Sequence, residues 1–173
     1  MDSICNGSFL LVSAENAVEA NMAVGVPRQD AETMSDPKSG VRHDIEVEGK
    51  HIKWQFLYPM APKYNHTYNM ELGETLTLEE PMSLDITASK RDGRTFCMEM
   101  VVGGSKKSTY VVTFSPEGCT TEGCIDGISF TMVFARMSPE VFCGIIIEIF
   151  LQGKLGLSIL EKTVFGVRTF QTP

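Results

Sequence analysis

Three histidines and five cysteines carry most of the chemical potential of this 173-residue sequence. Nucleophilic catalysis needs a nucleophile, a base and a group that orients the base, all within hydrogen-bond reach. His43 and His51 do not meet this demand. Alternation puts His43 with Ile45 and Val47 and places His51 on the opposite face, with Glu46 and Lys53. No G-x-S-x-G elbow occurs. His66 lies in the polar, aromatic run Lys63-Tyr64-Asn65-His66-Thr67-Tyr68, which reads as a loop. It suits binding or pH sensing best of the three; the plainer reading is an exposed histidine without a role. Cys119 and Cys124 stand in a glycine-flanked C-x4-C run. Together they supply half the ligands of a structural zinc site, or a redox-sensitive pair; otherwise they are incidental thiols of a glycine-rich loop. Cys97 and Cys143 fall inside strand-like segments, where a thiol packs as a small hydrophobe.

Gly103-Gly104-Ser105-Lys106-Lys107 departs from the phosphate-cradling pattern G-x-x-x-x-G-K-[ST], and a strand rather than a helix follows it. A hairpin loop explains it. No catalytic set, metal site or cofactor is expected from these residues.

The elements that must position these side chains show a period of two from His43 onward. A two-residue turn at Gly49-Lys50 sets Val47 opposite Ile52, Ile45 opposite Trp54 and His43 opposite Phe56. The other face then receives Glu46 opposite Lys53, as a half-buried hairpin requires. A three-residue turn with Gly93 in the left-handed region sets Leu84 against Met100, Ile86 against Met98 and Ala88 against Phe96. A loop over 103–107 sets Met100 against Tyr110, Met98 against Val112 and Phe96 against Phe114. Residues 128–134 alternate, 141–151 are apolar on both faces, and 155–160 and 163–170 close the chain. Nine or ten strands with little helix predict an all-β antiparallel sandwich or barrel of jelly-roll or Greek-key kind.

Residues 1–40 read as a flexible acidic arm, mostly disordered, with a short helix over 13–24 that presents Ala14, Val18 and Met22. Residues 41–173 read as one β-rich domain. Fifteen basic against 22 acidic residues give a net charge of −7 and a pI near 5.0, which argues against specific or non-specific nucleic-acid binding. No basic residue precedes the short apolar run Phe9–Val12, and Glu148 interrupts 141–151. The expectation is a cytoplasmic or nuclear protein that is not secreted and has no transmembrane segment.

Two basic hairpin tips, Lys90, Arg91 and Arg94 at one and Lys106 and Lys107 at the other, leave room for peripheral membrane contact. Val18, Met22, Tyr58, Met60, Tyr64, His66, Tyr68 and Met70 form an adaptable, sticky set suited to partner contact. The layout of arm and β-rich body is similar in outline to small viral coat or matrix proteins and to β-sandwich adaptor modules. It implies a non-enzymatic structural or interaction protein, a self-assembling oligomer. The alternative is a barrel or sandwich that binds a hydrophobic small ligand, supported by the Trp54/Phe56 face and the doubly apolar segment 141–151. A third reading, a small hydrolase or redox enzyme, rests on His66 or on Cys119 and Cys124.

Overall fold

The computed structural model describes residues 4–79 and 83–137. The strands read at 141–151, 155–160 and 163–170, together with Cys143, lie outside the described residues. Within them the chain runs β1 (Gly7–Glu15), α1 (Ala17–Ala23), α2 (Arg28–Ser35), β2 (Arg42–Glu48), β3 (His51–Leu57), β4 (His66–Glu71), β5 (Thr75–Leu78), β6 (Leu84–Lys90), β7 (Thr95–Val102), β8 (Lys106–Phe114), β9 (Gly118–Ile125) and β10 (Ile128–Arg136). Single 3-10 turns at Pro37–Ser39 and Pro62–Tyr64 complete the list.

All ten strands form one antiparallel sheet in the order β4-β3-β2-β1-β10-β9-β8-β7-β6-β5. Consecutive strands are neighbours except β4 and β5, and β1 pairs with both β2 and β10, so the sheet curls into a nearly closed barrel. Its two ends, β4 and β5, meet without a ladder of their own. The all-β antiparallel class is as expected, and the architecture is a barrel. Its strands are not the expected set, because β1, β4, β5 and β9 are not picked out by alternation.

Residues 4–15 are not a flexible arm. Phe9 and Leu11 are buried in the core, so the apolar run serves as the middle strand of the meander. Ser13, Ala14 and Glu15 pair with Val133, Met132 and Thr131, and this ladder overrides their helix propensity. The helix begins only at Ala17, and its buried face is Ala17 and Ala20 rather than Ala14, Val18 and Met22. The segment before β1 is also held. The Arg136 guanidinium donates to the carbonyls of Asn6 (2.7 Å) and Ile4 and covers the Phe9 ring at 4.7 Å. The Asn6 side chain accepts from Val47 N at 2.6 Å.

The β2–β3 register is as expected at every pair. The β6–β7 register differs: Ile86 faces Met100 and Ala88 faces Met98. The connection over 91–94 is closed by Arg94 N donating to Asp92 Oδ1 (2.7 Å), and Gly93 is not in the left-handed region. The β7–β8 register differs likewise, with Met98 facing Tyr110 around a three-residue turn in which Gly103 and Gly104 take positive φ. Both shifts are by two residues, so every side chain keeps its face.

The barrel interior is filled near β1, β7 and β8 by Phe9, Phe96 and Phe114, whose rings meet edge to face at 5.5 and 5.9 Å. Helix α1 packs Ala20 on Ile125 of β9 and Phe130 of β10. Helix α2 joins α1 through Asn21 Nδ2 donating to Ser35 Oγ (3.3 Å).

Candidate functional site

A cavity of about 400 Å³ lies between the inward faces of the barrel strands and the helix pair. That is within the range of roughly 300–1,000 Å³ typical of small-ligand sites. Strands place most of its walls by alternation. β2 contributes His43, β3 Trp54 and Phe56, β4 His66 and Tyr68, and β10 Phe130 and Met132. Ala17, Ala20 and Val24 of the helical segment border it, as do Lys63, Tyr64 and Asn65. The Lys63 side chain is 64% exposed, so that end of the cavity reaches solvent.

One wall is a run of rings. Trp54 and Phe56 stack at 5.6 Å and 8°, Phe56 and His66 at 4.5 Å and 18°, and Tyr68 tilts against His66 at 4.6 Å. His43 packs 4.2 Å from Phe134 and 4.4 Å from Phe56. Buried in this apolar setting, and close to His66, His43 is pushed down to a pKa of about 3 and is neutral at neutral pH. His66 is lowered by burial as well. Its Nδ1 donates to the Tyr64 carbonyl at 2.6 Å, which leaves Nε2 as an acceptor. Burial raises the Tyr58, Tyr68 and Tyr110 hydroxyls above the ordinary phenol value, so they stay protonated.

Three buried polar atoms of lining residues have no hydrogen-bond partner among the described residues: His43 Nδ1, Trp54 Nε1 and Thr121 Oγ1. At the solvent end, Asp30 of α2 accepts from Tyr64 Oη (2.8 Å) and pairs with Lys63 Nζ (2.7 Å). These contacts lower the Asp30 carboxyl below its ordinary value, Lys63 contributing most.

The residues singled out in the sequence fall in several places. Tyr58, Tyr64, His66 and Tyr68 line the cavity, and His66 opens β4 rather than lying in a loop. Met70 is buried in the core, Met60 is exposed, and Val18 and Met22 are half-buried on α1. Cys119 and Cys124 are on strand β9, not in a loop. Five positions apart on a strand, they face opposite sides and cannot share a ligand. Cys119 faces inward, where burial pushes its thiol up to about 12, far from a reactive thiolate. Lys106 reaches the Ala23 carbonyl at the end of α1 and lies 4.0 Å from Asp126, while Lys90 covers the Phe96 ring. Thr121 lines the cavity without having stood out in the sequence, and Tyr110 and Phe130, read there as strand residues of an apolar face, line it too. The Asp126-Gly127 turn, both residues at positive φ, was the available signal, since it fixes β9 against β10 and so which side chains point inward.

No family model and no curated protein matches the sequence. Solved structures match the fold. A Schistosoma mansoni fatty acid binding protein in complex with arachidonic acid superimposes with a TM-score of 0.67 at 13% identity, covering 79% of this chain and 98% of that one. The REP1-NXSQ fatty acid transporter matches with a TM-score of 0.64 at 16% identity, covering 78% and 96%. A secretory abundant heat soluble protein from Ramazzottius varieornatus matches with 0.66 at 17%, covering 76% and 94%.

This chain shares their fold.

The expectation of a self-assembling shell, coat or matrix component is thereby overturned. Its structural ground was a free arm on a β-rich body, and residues 4–15 belong to a barrel like those of proteins named for the fatty acids they bind or transport. No helix among the described residues is long and apolar enough to cross a membrane.

Proposed function

We propose that this protein is a non-enzymatic carrier that binds one hydrophobic small molecule inside its barrel. The carrying observation is the cavity of about 400 Å³ walled by stacked rings and aliphatic side chains. Its lining histidines and phenols are held neutral, which suits retention of an apolar guest and not acid–base turnover. The shared fold with fatty-acid-binding and transporting proteins supports the same reading.

Titration of delipidated protein with the apolar fluorophore diphenylhexatriene tests it. Saturation near one molecule per chain is expected. Met100→Trp fills part of the cavity and weakens binding by about tenfold or more while the melting temperature is nearly retained. Unsaturable uptake, or binding indifferent to Met100→Trp, contradicts the proposal.

A further inference from the structure

This inference deepens the reading of the cavity as a ligand site and rests on it. Lys63 is the charged residue that lines the cavity among the described residues. It is exposed and already paired with Asp30 at 2.7 Å. A carboxylate drawn fully inside would therefore lose its hydration without gaining a cation.

The walls offer something else. Trp54 Nε1–H only donates, Thr121 Oγ1 donates or accepts, and His43 Nδ1 does either according to tautomer. All three belong to residues less than a tenth exposed, and none of these atoms has a hydrogen-bond partner among the described residues. A buried donor left unmet is costly, so a guest's polar group brought within reach of one of them is stabilising. The His43 and Trp54 rings lie 5.9 Å apart, and both residues line the cavity. Beside them the near-parallel Trp54, Phe56 and His66 rings run along one wall.

We infer that the ligand is an uncharged, flat ring compound whose hydroxyl or carbonyl groups meet Trp54 Nε1, His43 Nδ1 and Thr121 Oγ1, and not a free carboxylate. Shape and charge select it together. Rings stack on rings, neutral polar groups meet neutral polar groups, and the charged lining residue among those described, Lys63, is already paired with Asp30.

A matched set of fluorescent probes tests this on the full chain: pyrene, 1-pyrenemethanol and 1-pyrenecarboxylate. Near neutral pH, 1-pyrenemethanol is expected to bind about tenfold or more tightly than 1-pyrenecarboxylate. Trp54→Phe and Thr121→Val should each weaken 1-pyrenemethanol by roughly threefold or more beyond any change in pyrene. Thr121→Val preserves shape, so it carries the test if Trp54→Phe fails to fold. Equal or tighter binding of the carboxylate, with pyrene still bound, overturns the inference and leaves the cavity reading standing. Loss of affinity for pyrene and 1-pyrenemethanol alike in both variants also overturns it. Failure of all three probes to bind overturns the cavity reading, and this inference with it.

Discussion

His43 shows how a single side chain can be both core and cavity wall. It is neutral in the folded protein down to a pH of about 3, whereas an unfolded chain protonates it near 6.5. Above 6.5 both states are neutral there and the residue adds no pH dependence. Below 6.5 the unfolded state takes up a proton that the folded state refuses, so stability falls as pH falls towards 3. The decline is at most about 1.4 kcal/mol per pH unit from this residue. His66, also lowered by burial, adds in the same direction. Denaturant melts across that window should show the slope, and His43→Phe should flatten it; an unchanged slope would place the lost stability elsewhere. Gly118 gives a sharper local test. A Cβ there would sit 1.9 Å from the Phe134 carbonyl oxygen, whereas one on Gly93 meets nothing within 4 Å. Gly118→Ala is expected to cost about 2–3 kcal/mol and Gly93→Ala about 0.5 kcal/mol or less. Equal effects in urea melts would show that β9 and β10 are not this close.

Among the elements, α2 and the 62–64 turn are joined at the solvent end of the cavity by Asp30, Lys63 and Tyr64. The lowered Asp30 carboxyl means that its ionised contacts persist below the ordinary carboxylate range and are lost as pH falls through its own pKa. These groups are near the surface, so the join governs passage more than stability. Asp30→Asn is expected to speed release of bound diphenylhexatriene severalfold with almost no change in melting temperature. An unchanged release rate measured by stopped flow would remove the join from the exit path. Element pairing also shows where sequence reading stops. Alternation determines which face a residue takes, and the faces of Ile86, Met98 and Phe96 follow from it. It does not distinguish registers that differ by two, so the β6–β7 and β7–β8 pairs shifted while every face was kept. β1 escaped because a bulge between Leu11 and Ser13 breaks its period, and β9 because threonine, glycine and cysteine dilute its pattern.

At the scale of the barrel, the N-terminal strand closes the meander between β2 and β10. Deleting residues 1–15 is therefore expected to abolish cooperative unfolding, whereas a dispensable arm would leave the melt of the body intact. Much of the cavity wall was legible in the sequence. Trp54 and Phe56 were read as one apolar face, and that face supported the ligand reading. What alternation could not supply was closure, since a flat sheet and a barrel share the same inward pattern, and only closure turns one face into an enclosed site. That is why Tyr68 and His66 read as a sticky surface when they are wall. The chain has a single tryptophan, Trp54, and it lines the cavity. Its emission therefore reports directly on occupancy. Titration with 1-pyrenemethanol while exciting Trp54 should quench that emission through energy transfer to the bound fluorophore, saturating at one molecule per chain. Binding that leaves Trp54 emission untouched, or quenching that never saturates, would contradict a ligand held inside the barrel.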